Sequence, residues 1–351
     1  MNIPDPAPII DLMEGFRRSK TMFAAVSLGI FDLLAESPLD AAAVAERLGA
    51  NPDATERLLE ACAALNLLEN HHGEFVNTPL ADVYLRQSSE RALTGYILYS
   101  NLALYRLWEH LEDAVREGTP RWEQTFGWPA PIFEHFFSTP ETMHTFLMAM
   151  HGLGVATSPD IVRAFDLSGF HTIADLGSAT GHLPIAACQA WPQMYGVVFD
   201  MAKILPVASQ QIEKAGLANR ITVHAGDFFT DPLPAADLYA LGRVLHDWPE
   251  EKIRLLLRRI FDHLPPGGGL LIAEKLIHED RSGPIGAHMQ SLSMLVCTEG
   301  RERSLSEYRT LLLETGFTSV EGRKTGKYLD AVFACKPPAR KPGTGPQALL
   351  D

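Results

Sequence analysis

Three acidic residues stand at the ends of three short apolar runs: Asp175 in HTIADLG, Asp200 in YGVVFD and Asp227 in ITVHAGD. Asp200 follows Asp175 by 25 residues, and an acid at that strand end can accept hydrogen bonds from both hydroxyls of a ribose. Asp227 is followed by Phe228. An acid beside an aromatic ring can bind an adenine amino group and cover the ring face. Between the first two acids lies DLGSATGHLP, where Gly177 and Gly181 flank three small residues. Such a corner lets backbone approach a ligand closely and turns a helix N-terminus toward a negative group. A plain structural turn has the same look. Three such strand ends in order point instead to a nucleoside. The corner is not G-x-G-x-x-G, and no P-loop lysine follows it. Nothing here prepares a pyrophosphate site. An adenosine that carries a cationic sulfonium suits the acidic strand ends better.

The elements that must position these residues alternate. From residue 171 onward, short apolar runs are separated by helical stretches at 181–191, 202–215 and 249–263. That alternation predicts an α/β fold with a parallel sheet. SLSEYRTLLLETGF opens on a capping box, Ser304 to Glu307, and ends at Gly316. TSVEGRKTG and YLDAVFACK read as a closing hairpin. The first third reads as helices, with Gly15 and Gly29 as interruptions. It continues as helix, Gly-Ala-Asn turn, helix and a hairpin at His72-Gly73, the pattern of a winged-helix module. Residues 80–165 read as helical throughout, apart from GTPRWEQTFGWPAP.

Charge and composition narrow the partners. A net charge of −13 repels phosphate backbones. The second helix of the winged-helix pattern carries Asp53, Glu56, Arg57 and Glu60, the wrong sign for a groove reader. A structural or dimerising role is the better reading, and nucleic acid is not an expected partner. No apolar run is long enough to span a membrane, so none is expected as a partner either. MNIPDPAPII has no basic n-region, so no secretory signal is expected. Cys62, Cys188, Cys297 and Cys335 are scattered without a C-x-x-C. They suggest no zinc site, no disulfide framework and a reducing, cytoplasmic setting.

ADLGSATGHLP, VVFDMAKIL, AGDFFTDPLPAADLYALGRVLHDWPEEK, PPGGGLLIAEKLI and MLVCTEGRERSLSEYRTLLLETGF together resemble the S-adenosylmethionine-dependent small-molecule O-methyltransferases of caffeate and bacterial tailoring type. The likeness runs from about residue 10 to residue 336. It implies an N-terminal, all-α, winged-helix-like dimerisation domain at 1–100 and a helical region lining the acceptor pocket at 101–165. A Rossmann-like class I methyltransferase domain at 166–337 and a flexible tail at 338–351 would follow. The sheet would have seven strands, the last pair an antiparallel hairpin, and the protein would be a homodimer. Phe16 and Phe23 lie on the apolar stripe that could close a partner's pocket. By position, Asp175, Gly177, Gly181, Asp200, Met201, Asp227, Phe228 and Arg243 match the family's cofactor contacts. His246 matches its general base, and Glu274 and Glu302 match two acids flanking that base. Phe146, Met150, Met289 and Ser293 are the candidate acceptor contacts, and no metal is implied. The sequence departs from the family at Ser178 and Ala179, where glycines are usual. Ser293 stands where one branch of the family carries an acceptor-binding asparagine.

The implied chemistry is an in-line displacement at a sulfonium methyl, in which positioning supplies much of the rate. A phenol at about 10 and an imidazole near 6.5 leave His246 neutral at pH 7 and able to accept a proton as the bond forms. Either glutamate can orient the ring. A thiol would need such a base less and an unactivated alcohol far more help, so a phenolic or enolic hydroxyl on a small aromatic molecule is expected. Asp247 reads as a local cap and Trp248 as packing. N- or S-methylation, another use of the same cofactor, a non-enzymatic binding protein and a regulator remain as alternatives on the same fold.

Overall fold

The structure, a computed structural model, describes residues 3–129 and 138–339. Backbone contacts divide the chain into two compact units. One runs to Glu109 and includes Ser138–Ala156; the other begins at His110 and resumes at Thr157.

In the first unit, α1 (Ala7–Ser27) runs through Gly15 without a break. One glycine costs a helix only about 1 kcal/mol, which a 21-residue helix absorbs. The chain breaks instead at Gly29, which is left-handed with φ 72° and leads into α2 (Ile30–Leu34). Next come β1 (Leu39–Asp40), α3 (Ala41–Leu48) and α4 (Pro52–Ala64). Asp40 and Asn51 cap these helices by accepting the N–H groups of Ala43 and Ala54. The hairpin of β2 (Leu68–His71) and β3 (Glu74–Asn77) pairs with β1 in the order β1-β3-β2. On α4, Arg57 is ion-paired with Asp53 at 2.6 Å, so its one cation is neutralised on its own helix. Val26, Phe31, Val44, Leu59 and Phe75 form this unit's core, with Phe23 packed against it. The continuous helix expected from residue 80 is broken. α5 (Pro79–Tyr84) stops at a turn over 85–93, and α6 (Thr94–Tyr99) and α7 (Tyr105–Trp108) flank a π-helical turn.

The second unit opens with α8 (Leu111–Glu117) and α9 (Trp122–Phe126). The Trp122 indole N–H donates to the carbonyl of Cys297 at 2.8 Å and ties this segment down. The rest of the helical expectation up to residue 137, and of the tail from residue 340, lies outside the described residues. α10 (Pro140–Arg163) then leads to the sheet.

Seven strands order as β11-β12-β8-β7-β4-β5-β6. They are β4 (Thr172–Leu176), β5 (Tyr195–Asp200), β6 (Ile221–Ala225), β7 (Leu238–Gly242), β8 (Gly269–Glu274), β11 (Thr318–Arg323) and β12 (Asp330–Cys335). β4 to β8 are mutually parallel, and β12 runs antiparallel to both β8 and β11. The central strands β4, β5, β7 and β8 are buried nearly throughout because both faces are covered there. α13 (Glu250–His263) and α15 (Leu305–Thr315) cover one through Ile253, Leu257, Tyr308 and Leu312. α11 (His182–Ala190) and the end of α10 cover the other through Leu183, Ala187, Ile161 and Val162, and α12 (Leu205–Lys214) packs on β5 and β6 through Ala208 and Ile212. The expected capping box at Ser304 and Glu307 is present in both directions. The strand order reverses beside β4, which opens a crevice at the carboxyl edge, where α/β sheets bind ligands.

Candidate functional site

Every residue matched to the cofactor lies at that edge, in the second unit. Asp175 is 2% exposed near the end of β4, and its Oδ1 has no hydrogen-bond partner. Gly177 follows with φ 74°. A Cβ there would be strained by the left-handed backbone and would stand 3.1 Å from Val244 Cγ2 and 3.3 Å from Phe228 Cε1, so both side chains would have to give way by a few tenths of an ångström. Ala179, the departure from the family pattern, is itself left-handed at φ 51°. Its cost, about 1 kcal/mol, is offset because its N–H donates to Asp200 Oδ2 at 2.8 Å. Asp200 Oδ1 accepts the N–H of Met201 at 2.7 Å. The carboxylate is thus fixed at the β5 end before any ligand arrives, with lone pairs left over. Asp227 Oδ1 accepts the N–H of Phe229, which turns the backbone so that the Phe228 ring comes beside Gly177. Gly181 is the N-cap residue of α11, left-handed at φ 78° and without a side-chain cap.

Burial penalises charge on these acids. It pushes Asp175 up to about 7, against the Ser178 hydroxyl, which lowers it, and with the charge of Asp200, which raises it further. Burial also raises Asp200 to about 6, partly offset by the two backbone N–H groups. A crevice with unspent anionic character, an orphaned carboxylate oxygen and a left-handed glycine corner fits a cationic nucleoside.

Next to it stands the second cluster. β7 is followed by Arg243, left-handed at φ 57°, whose N–H donates to the Ala273 carbonyl on β8. A short turn, Leu245–Asp247, then carries His246. His246 is 3% exposed, Glu274 0% and Glu302 1%. Glu302 Oε1 lies 2.7 Å from His246 Nδ1, and Glu274 Oε2 lies 3.3 Å from the same nitrogen. Glu274 Oε1 accepts the N–H groups of Val244 and Leu245 at 3.1 and 3.0 Å, with that of His246 at 3.4 Å. The two acids therefore differ: Glu302 holds the ring, and Glu274 holds the backbone beneath it. A metal ion could in principle use these three residues, whose ligand atoms lie within 4.8 Å of one another. Glu302 Oε1 and Glu274 Oε1 are already engaged with the imidazole and with backbone N–H groups.

The expectation of a neutral imidazole is overturned. Burial alone would push His246 down, but the charges of Glu274, Glu302 and Asp247 reverse this and raise it to about 10. Glu274 in turn is raised to about 7 by burial, against the pull of His246. Without ligands the imidazole holds a proton. Asp247 does not cap the following helix: Pro249 is its N-cap residue, with no side-chain bond. The Asp247 carboxylate lies 3.7 Å from His246 Nε2. Trp248 packs edge-on to Phe229 and lies under Lys252.

The acceptor candidates divide. Phe146 and Met150 lie on the part of α10 in the first unit, Phe146 edge-on to Tyr99 at 5.7 Å. Met289, 45% exposed, and Ser293 lie on α14 (Ile285–Cys297) of the second. Two further residues of the second unit escaped the sequence. Arg303 is buried under the His246 turn, and a Cβ on Gly300 would stand 2.1 Å from the His246 carbonyl oxygen. Both sit in TEGRERS, but only the fold reveals what they touch.

Residues 108–318 match the model of the O-methyltransferase domain, and residues 10–87 match the O-methyltransferase dimerisation domain. Acetylserotonin O-methyltransferase of Bos taurus is 41% identical over 330 residues, covering 92% of this chain and 95% of that protein. A human probable bifunctional dTTP/UTP pyrophosphatase/methyltransferase protein is 41% identical over 95% of this chain. The chain spans about half (54%) of that protein's length. The crystal structure of human N-acetylserotonin methyltransferase in complex with S-adenosylmethionine superposes with a TM-score of 0.90 at 40% identity, covering 96% of this chain and 99% of that one.

Proposed function

This chain belongs to the O-methyltransferase family that uses S-adenosylmethionine and methylates small molecules, and on that premise we propose that it methylates a phenolic or enolic hydroxyl of a small aromatic acceptor, with His246 as the proton acceptor. The single observation that carries the proposal is the buried contact between His246 Nδ1 and Glu302 Oε1 at 2.7 Å. It dedicates one ring nitrogen to an acid and leaves Nε2 to exchange a proton with a reactant.

Asp200, Met201, Asp227 and Phe228 would hold the ribose and adenine, and Asp175, Gly177, Gly181 and Arg243 the rest of the donor. Bound there, S-adenosylmethionine supplies an electrophilic methyl group on a positively charged sulfur. A second cation in the same crevice is disfavoured, so the charge balance pushes the His246 proton off Nε2. The neutral imidazole then accepts the acceptor's hydroxyl proton as the oxygen engages the methyl carbon. The neighbouring acids that raise the ligand-free imidazole favour its keeping the proton it accepts. Glu302 and Glu274 stabilise the imidazolium that forms. In the second unit, Met289 and Ser293 on α14 would contact the acceptor. Ser293, a short hydroxyl, fits an acceptor other than acetylserotonin.

The helix–turn–helix and hairpin of the first unit form a winged-helix-like module that serves a homodimer, which the dimerisation-domain match and the acidic α4 both support. The four thiols are unpaired, in keeping with a cytoplasmic protein.

The test is a methyl-transfer assay with labelled S-adenosylmethionine and a panel of phenols, thiols and amines, comparing wild type with His246→Ala. Transfer to a phenolic oxygen is expected, with turnover in the variant reduced about 10² to 10⁴-fold and donor affinity little changed. Equal turnover in the two proteins removes His246 from the reaction.

A further inference from the structure

The turn that carries His246 is gripped from both polarities of its backbone. Glu274 takes its N–H groups from one side. From the other, Arg303 Nη1 donates to the carbonyl of Leu245 at 3.2 Å and to that of Arg301 at 3.0 Å, and Nη2 donates to the carbonyl of Trp248 at 3.2 Å. The two carbonyls of the turn bracket His246 in sequence. Arg303 is 2% exposed and directly follows Glu302, so one short segment brings both the carboxylate on the ring and the guanidinium on the backbone that bears it. That segment is itself fixed. Arg303 and Ser304 form β10, which pairs in parallel with β9 (Leu276–Ile277), immediately beyond Glu274.

A buried guanidinium costs several kcal/mol to desolvate. An apolar side chain would fill the same volume more cheaply, so its presence calls for a reason in what it bonds. Here the partners are not those of a helix or a sheet ladder. Two of them, Leu245 and Trp248, are carbonyls at the first residue of a three-residue turn and just past its last, and such a turn has little stability of its own. The flat fork of arginine holds both carbonyls in one fixed geometry, whereas a lysine ammonium, a point charge with rotatable donors on a flexible stem, does not impose that geometry. Gly300 seats its own backbone against the same turn, at a distance no side chain tolerates.

We propose that Arg303 is a positioning residue for methyl transfer: by bridging the Leu245 and Trp248 carbonyls it sets the depth and direction of the His246 ring against Glu302. It touches no reactant. The proposal rests on the reading of His246 as the proton acceptor.

The experiment compares wild type, Arg303→Lys and Arg303→Met on an acceptor found in the panel above. Turnover, acceptor KM, donor affinity by calorimetry, thermal stability and the pH profile of turnover are measured. A displaced ring is expected to lower kcat about tenfold in Arg303→Lys and about 100-fold in Arg303→Met. Donor affinity should stay within about twofold of wild type. The acidic limb of the profile should move to lower pH as the imidazole loses its close contact with Glu302. A purely structural arginine would lower only the melting temperature. An Arg303→Lys variant with wild-type kcat and pH profile below its melting temperature therefore overturns the proposal. Should Arg303→Met fail to accumulate, Arg303→Lys, which keeps the charge and most of the stem, decides alone. If His246→Ala retains full turnover, the reading of His246 falls first. If His246→Ala is inactive and Arg303→Lys is normal, only the role of Arg303 falls.

Discussion

Glu302 Oε1 and His246 Nδ1 are 2.7 Å apart, and neither side chain is more than 4% exposed. A contact that short between buried groups is charge-assisted, and it acts on the imidazole's proton affinity as well as on its direction. Glu302→Gln keeps the shape and removes the charge. The reactive form of His246 is neutral, so the rate falls as pH drops through the imidazole's own value, which the neighbouring acids raise to about 10 in the ligand-free protein. Removing one of those charges lowers that value. The acidic limb of kcat/KM should therefore lie above 6.5 in wild type and move to lower pH in Glu302→Gln. An unmoved limb would show that some other group titrates.

Asp175 gives a stability prediction with the opposite look from an ordinary paired carboxylate. Burial raises it from 3.8 to about 7, so the folded state holds its proton more tightly than the unfolded chain does. Such a group contributes fully below the unfolded value, and its contribution is lost as pH rises through the folded one. The ligand-free protein should lose stability through this group between about pH 4 and pH 7, by an amount on the order of a few kcal/mol. Asp175→Asn should flatten that slope in thermal unfolding between about pH 4 and pH 7. An unchanged slope would exonerate Asp175.

Much of this was legible beforehand, for physical reasons that differ by element. The central strands β4, β5, β7 and β8 are apolar and bounded by turn residues, so their places along the chain stood out, as did the acids at the ends of β4 and β5. Ser304 and Glu307 announced their helix by a capping box whose two bonds are local. Gly15 misled because glycine permits a break without requiring one, whereas Gly29 occupies a left-handed position that few other residues tolerate. The protonation of His246 was hidden because it is a sum over three acids brought in from β8, the turn itself and the segment before β10. Arg303 was hidden for a related reason: an arginine in a charged tetrapeptide looks solvent-facing until the fold buries it.

Gly300 is a site where one methyl group should be costly. Its added Cβ would lie 2.1 Å from the His246 oxygen and 2.6 Å from the Trp248 nitrogen, both backbone atoms that cannot swing away. Gly300→Ala should lower stability by about 1–3 kcal/mol and reduce kcat more than acceptor KM, because the displaced atoms carry the imidazole. Thermal unfolding with steady-state kinetics checks both. A variant of normal stability and turnover would mean that the His246 turn is far more pliable than its hydrogen bonds indicate.

Helix α1 presents Ile9, Leu12, Met13 and Phe16, each at least 54% exposed, at the i, i+3, i+4, i+7 spacing of one face, while it buries only Ala25 and Val26. A 21-residue helix with an uncovered apolar stripe is unfinished. The dimerisation-domain match includes residues 10–27 of it, and a second copy is the occupant that match supplies. In sedimentation velocity the wild type should run at twice the 38.6 kDa of one chain. The double substitution Leu12→Glu, Phe16→Glu places two buried charges on each side of such an interface and should shift the protein to monomer, with a lower melting temperature and reduced turnover. Both changes follow from the same loss: each first unit would have to expose the stripe that its partner covers. A wild type that sediments as a single chain at micromolar concentration would instead leave the stripe to some other partner.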